Sequence, residues 1–180
     1  MDRGFSLIEV LVATTVMTMT LVALAQLSIV SIRVNHGARS ATFTTLLAYH
    51  KIEQLRALAW SVDGSGRSTS DTSTDTTVEP EEPSGGTGLG PSPAGALMQN
   101  TSGYCDFLDA NGRTLGGGTT PPVNTAFIRR WSIDPLPAAM NATLVIQVSV
   151  TPVRNREVAG SLRRLPDEAR IVAVKTRKAS

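Results

Sequence analysis

The hydrophobic pattern begins with a long apolar run near the N-terminus. Residues 10–32 carry no formal charge and contain neither proline nor glycine. About 20 such residues suffice to cross the hydrocarbon core of a bilayer as a helix. The run therefore predicts a membrane-spanning helix. Glu9 stands at its edge as the single formal charge between Arg3 and Arg33.

The helical pattern continues beyond the apolar run, to about Trp60. Residues 33–60 contain no proline and a single glycine. Apolar residues recur there at three- and four-residue spacing, which predicts an amphipathic helix. These residues are Leu46, Leu47, Ala48, Ile52, Leu55, Leu58 and Ala59. We interpret His36 and His50 as solvated helix residues, not as metal ligands, and place Lys51 on the polar side.

A polar insert, residues 61–96, follows the helix. It consists almost entirely of Ser, Thr, Asp, Glu, Gly and Pro. Such a segment has too little apolar surface to offset the entropy lost on ordering. Its acids lack the regular spacing of a calcium-binding loop. We therefore expect a mobile, solvated loop that is dispensable for folding and holds no metal.

Alternating segments in the C-terminal part predict β-strands at residues 104–108, 126–133, 142–152 and 169–176. Consecutive strands joined by short turns indicate an antiparallel sheet. One face of this sheet is expected to pack on the amphipathic part of the helix, which gives an α+β fold. The glycine run at 116–118 is interpreted as a flexible linker.

Composition adds few constraints. The chain has 180 residues and a formal net charge of +2, which is too mild to indicate nucleic acid binding. Cys105 is the only cysteine, so it forms no internal disulfide, and we expect it to be buried. No catalytic, phosphate-binding or metal-ligand motif is found, which predicts a non-enzyme without a cofactor.

We assign the C-terminal basic residues to a solvated sheet face and not to a DNA-binding surface. They are Arg129, Arg130, Arg163, Arg164, Lys175, Arg177 and Lys178.

The apolar run also permits a secretory signal peptide or a plain signal anchor. Residues 23–25, Ala-Leu-Ala, match a small-x-small cleavage site before Gln26. Two features count against a removed signal. Glu9 lies where a signal peptide is already apolar, and the apolar run continues beyond the supposed cut to Ile32.

The stretch GFSLIEV at residues 4–10 resembles the prepilin cleavage and methylation signature of type IV pilins and type II secretion pseudopilins. The resemblance implies that prepilin peptidase cuts after Gly4 and that the new N-terminal residue, Phe5, is N-methylated. It also implies an assembly role for Glu9, whose carboxylate would meet the N-terminal amine of a neighbouring subunit.

The same resemblance implies the type IV pilin fold, a long N-terminal helix packed on an antiparallel β-sheet head. Its parts are a leader peptide at 1–4, a transmembrane and filament-core helix half at 5–32, an amphipathic half at 33–60, the αβ loop at 61–96 and the sheet head at 97–180. Residues 48–59 and 129–131 are similar to PilV-type minor pilins, and residues 48–59 also to GspI-type pseudopilins.

The function implied by this resemblance is that of a minor pilin, a structural subunit that primes or caps pilus assembly. It would sit in the inner membrane as a single-pass protein with a periplasmic head and then enter the filament. Its partners would be other minor pilins, the major pilin and the membrane assembly platform. The alternatives are a minor pseudopilin of a type II secretion system and a tip-exposed pilin that binds surfaces or DNA.

Overall fold

The computed structural model describes residues 6–139, 142–153 and 167–179. Helix α1 spans Leu7–Ala57. The strands are β1 (Ser61–Val62), β2 (Cys105–Leu108), β3 (Thr114–Gly117), β4 (Phe127–Pro135), β5 (Thr143–Pro152), β6 (Ala169–Thr176) and β7 (Lys178–Ala179). A short 3-10 helix at Pro137–Ala139 follows β4.

The chain divides into two compact units, Met1–Arg39 and Ser40–Ser180. The described part of the first unit is the apolar beginning of α1. An 18-residue window of this helix has a mean hydropathy of 2.1, with none of it buried, so α1 is long and apolar enough to cross a membrane. The hydroxyl of Thr15 donates to the carbonyl of Leu11, and that of Thr20 to the carbonyl of Val16, so these polar groups are satisfied within the helix.

The second unit, which we call the head unit, contains a five-stranded antiparallel sheet with the strand order β3-β2-β4-β5-β6. Strands β4 and β5 form its centre, where Trp131 pairs with Val148 and Ile133 pairs with Ile146. Strand β1 pairs with β7 in parallel, as a separate two-stranded sheet. The predicted combination of a long N-terminal helix and an antiparallel sheet is confirmed.

The core of the head unit forms between the last turns of α1 and one face of the sheet. The helix contributes Leu47, Ala48, Ile52 and Leu55, and Leu58 follows directly after its end. Strands β4 and β5 contribute Trp131, Ile133, Leu144, Ile146, Val148 and Val150. Each fully buried aliphatic side chain stabilises the fold by about 1.5–3 kcal/mol. The predicted helix face is correct except at its margins, because Leu46 remains 65% exposed and Ala59 is exposed.

The insert is folded onto the head unit, so the prediction of a mobile, solvated loop is wrong. Leu89 is only 1% exposed and belongs to the core. Its amide donates to the carbonyl of Asp71 at 2.8 Å, and the amide of Gly88 donates to the carbonyl of Thr74 at 2.9 Å. The carboxylate of Asp71 also accepts from the amides of Ser73 and Thr74. Local turns therefore satisfy these polar groups, and Leu89 and Ala96 anchor the segment in the core.

The glycine run at 116–118 is not a free linker either, because its first part belongs to strand β3. Gly116 has a φ of 106°, which disfavours other residues. The backbone of Gly117 lies against the insert, and a Cβ added there would come within 2.6 Å of the Cβ of Thr77. Glycine weakens the strand pattern in the sequence, which is why β3 was missed.

Candidate functional site

The first candidate site is the beginning of α1. The carbonyl of Ser6 accepts hydrogen bonds from the amides of Glu9, at 3.0 Å, and Val10, at 3.2 Å. Ser6 and Glu9 have the spacing of a capping box, in which the side chain of the fourth residue helps to close the first turn. A carboxylate in the first turn is also favoured by the helix dipole. Glu9 thus lies in the first turn of α1, at a position that favours a carboxylate.

The side chain of Glu9 is exposed at the edge of a continuous apolar surface. Large hydrophobic side chains along the following turns are 51–76% exposed; among them are Leu11, Met19, Leu27 and Ile32. A patch of this extent on a protein surface marks contact with lipid or with another apolar surface. The other two predicted site residues, Gly4 and Phe5, lie outside the described residues.

A second candidate site, which sequence reasoning missed, is a buried charge cluster of Lys51, Asp106 and Arg129. Arg129 donates two hydrogen bonds to Asp106, from Nε to Oδ1 at 2.9 Å and from Nη2 to Oδ2 at 2.7 Å. The Nζ of Lys51 lies 2.9 Å from the same Oδ2. The three side chains are 0–3% exposed. The cluster joins α1, β2 and β4 inside the head unit.

Further donors of the cluster also have partners within the head unit. Lys51 donates to the side chain of Gln54 at 2.7 Å and to the carbonyl of Thr76 at 2.5 Å, so each of its three N–H groups is used. Arg129 donates to the carbonyl of Leu47 at 3.1 Å. The Nζ of Lys51 also lies 4.2 Å from the ring centroid of Trp131. The bond to Thr76 ties the insert to the cluster.

Electrostatics explain why these charges tolerate burial. Burial by itself raises the pKa of Asp106, but the charges of Lys51 and Arg129 outweigh this effect and hold the pKa below its usual value. Lys51 lies in the part of α1 that packs on the sheet, outside the apolar segment. Burial lowers its pKa to about 8, although Asp106 opposes the shift. Both cations share the single carboxylate of Asp106, and their other hydrogen bonds go to groups within the head unit, so we interpret the cluster as structural and not as a ligand site.

The cluster corrects two interpretations of the sequence. Lys51 is not on the polar side of the helix, and Arg129 and Arg130 are not on a solvated face. Arg130 is 7% exposed and donates to the side chain of Asn100 at 2.7 and 3.0 Å. One signal was present: Lys51 lies four residues from both Leu47 and Leu55, on the buried stripe.

Cys105 is buried and the two histidines are exposed, as predicted. Cys105 is a free, fully buried cysteine, and burial raises the pKa of its thiol to about 12. Such a thiol is unreactive because the thiolate is the nucleophile. His36 and His50 are exposed on α1, and the described residues contain no group of side chains suited to hold a metal ion.

Comparison with known protein families finds a match at the N-terminus. A family model described as the prokaryotic N-terminal methylation motif matches residues 1–25. The chain carries a prepilin-type N-terminus. This prepilin-type motif supports membership of the type IV pilin and pseudopilin family, and the α+β architecture is pilin-like. Comparison with the curated proteins and with the solved structures gives no match.

Proposed function

We propose that this protein is a minor type IV pilin, a structural subunit that primes or caps pilus assembly. The observation that supports the proposal is the methylation motif at residues 1–25, which leads directly into an exposed apolar helix. Prepilin peptidase cuts after Gly4, and Phe5 becomes the methylated N-terminus. The apolar segment at 5–32 holds the subunit in the inner membrane, with the head unit in the periplasm, until it enters the filament.

Transfer from membrane to filament explains why the apolar helix surface is not covered within its own subunit. In either environment the helix lies among apolar groups, where an ionised carboxylate is costly unless it is paired. The methylated amine of a neighbouring Phe5 is the partner that we assign to Glu9. Their attraction is strong in a medium of low dielectric constant, and it fixes the axial position of one subunit against the next.

The finer assignment to a PilV-type minor pilin is supported by the similarity of residues 48–59 and 129–131 described above. It implies as partners other minor pilins, the major pilin and the inner-membrane assembly platform. The role is structural and not catalytic, and the buried charge cluster fits this role because it stiffens the head unit.

Processing is the first test of the proposal. Mass spectrometry of the protein from the membrane fraction should find an N-methylated Phe5 at the N-terminus, with the apolar helix still attached. Removal of a secretory signal would instead leave Gln26 at the N-terminus. That result would refute the assignment.

Glu9 provides a second test, because its local and intermolecular roles separate by substitution. Glu9→Gln keeps a side chain that suits the capping box but removes the charge, whereas Glu9→Ala removes both. We expect both variants to be cut after Gly4, since Glu9 lies beyond the cleaved bond. Both should lose co-purification with partner pilins. Glu9→Asp, which keeps the charge on a shorter side chain, should retain part of it.

Immunoblots for mature size, together with mass spectrometry of the co-purified proteins, measure these outcomes. Normal co-purification of Glu9→Gln would show that helix capping, not charge, is the role of Glu9. Uncut variants would show that Glu9 is needed by the peptidase. Recovery of secretion-system pseudopilins in place of pilins would move the chain to the alternative system.

A further inference from the structure

A basic groove lies at the end of α1, where the chain leaves the helix beside the end of β6. Residues 56–61 and 175–177 line this groove, which encloses about 660 Å³. Three of the lining side chains are cations: Arg56, Lys175 and Arg177. Among the described residues that line the groove there is no carboxylate. The groove therefore brings residues more than 100 positions apart in the sequence together into a positively charged surface.

The three cations are crowded and only partly neutralised. Lys175 donates from Nζ to the carbonyl of Arg56, near the C-terminal end of α1. Burial and the charge of Arg56 both lower the pKa of Lys175, which shows how closely the charges approach. Arg56 has an acidic neighbour, Glu53, at 2.9 Å, but both side chains are about half exposed, so the pair is weak.

Two donors in the groove have no hydrogen-bond partner among the described residues. They are Nε1 of Trp60 and Nε of Arg177, and both atoms are buried. The two side chains are stacked, with the guanidinium carbon 4.3 Å from the ring centroid. A buried donor without an acceptor is unfavourable and uncommon in native proteins. Both donors lie beneath the surface of the groove, whereas an anion placed in the groove would offset the three positive charges that line it.

We propose that this groove binds an acidic peptide segment of a neighbouring subunit, an inference that rests on the proposed filament role. The chain itself carries a segment of this chemistry in its insert. Glu79, Glu81 and Glu82 are exposed, form no ion pair among the described residues and do not line the groove. Closely spaced carboxylates of this kind match a short groove with three cations, and the contact sets the orientation of adjacent head units.

A nucleic acid fits the groove less well than a peptide. Single strands are bound by stacking bases on free aromatic faces along an extended line of cations. Among the described lining residues the one aromatic side chain is Trp60, and Arg177 already covers one of its faces. The lining is also short, and the chain as a whole has a net charge of only +2.

The test uses the full-length protein in detergent micelles and a peptide with the sequence of residues 77–85. Trp60 is partly exposed whereas Trp131 is fully buried, so tryptophan fluorescence reports on the groove. We expect saturable binding that weakens with salt. Arg56→Gln and Arg177→Gln should each weaken binding of the peptide, and Arg177→Gln should weaken it by about tenfold. Arg170→Gln is the matched control: it removes the same charge from an exposed position on β6, outside the groove, and should leave binding unchanged.

A peptide with the three glutamates replaced by glutamine should not bind. Equal binding of this peptide, no binding of the acidic peptide, or equal effects of Arg170→Gln and Arg177→Gln would each overturn the inference. Tighter binding of an oligothymidylate to the same groove would also overturn it, in favour of nucleic acid. Near-ultraviolet circular dichroism checks that each variant is folded. Cleavage after Gly4 does not involve the groove, so failure here leaves the proposed function standing.

Discussion

Removing the acid from the buried charge cluster should destabilise the head unit far more than removing one of its cations. Asp106→Leu leaves Lys51 and Arg129 without their shared counterion, at positions that are 0–3% exposed. Breaking a buried pair in this way costs about 3–5 kcal/mol. For a unit of this size each kcal/mol lowers Tm by about 3–4 °C, so we expect Tm to fall by about 10–20 °C.

Lys51→Met should be much milder. Asp106 keeps both hydrogen bonds from Arg129, and the methionine fills most of the space next to Trp131. The carbonyl of Thr76 loses its donor, which costs about 1–3 kcal/mol. Burial lowers the pKa of Lys51 to about 8, which shows that the cation is unfavourably buried. Its removal therefore offsets part of this loss. The expected net cost is about 1–2 kcal/mol.

Thermal unfolding of the full-length protein in detergent measures this order of stabilities. Near-ultraviolet circular dichroism is the suitable signal because Trp131 lies beside the cluster. Glu53→Gln is the control: it breaks an ion pair whose side chains are 50–52% exposed, and should change stability by less than about 0.5 kcal/mol. The electrostatic account fails if Lys51→Met costs as much as Asp106→Leu, or if Asp106→Leu is as stable as the unmodified protein.

Three further predictions follow from buried groups in the head unit. The pKa of Asp106 is lower in the folded than in the unfolded protein, so its stabilising contribution is present above about pH 4 and is lost as pH falls through the folded-state pKa. On acidification the Tm of the unmodified protein should therefore drop more steeply than that of Asp106→Leu, and parallel curves of Tm against pH would contradict this. Replacing residues 71–90 with a short Gly/Ser linker removes the buried Leu89 and the carbonyl of Thr76 that accepts from Lys51, and should lower the free energy of unfolding by about 3 kcal/mol or more. An unchanged Tm in thermal unfolding would restore the view of a dispensable loop. Cys105 should not react with a thiol reagent at pH 8 until the protein is unfolded, and rapid labelling of the native protein would show that the site opens.

The sequence alone was sufficient wherever a feature depends on neighbouring residues. The prepilin-type motif, the long helix and the main strands are local patterns, and each was predicted to within a few residues. Helix α1 was expected over 5–60 and spans Leu7–Ala57, and β6 was expected at 169–176, as observed. Periodicity is a property of contiguous residues, so it survives without knowledge of the fold.

Only the tertiary structure decided the fate of groups whose partners are distant in sequence. Lys51 is buried because Asp106 and Arg129 are brought to it from two strands, and no local rule predicts that a lysine will find such partners. The insert is ordered because Leu89 reaches a core built by other segments, which its composition could not indicate. Burial of a charge or of a polar segment is favourable only when the rest of the fold supplies its hydrogen bonds, and those come from anywhere in the chain.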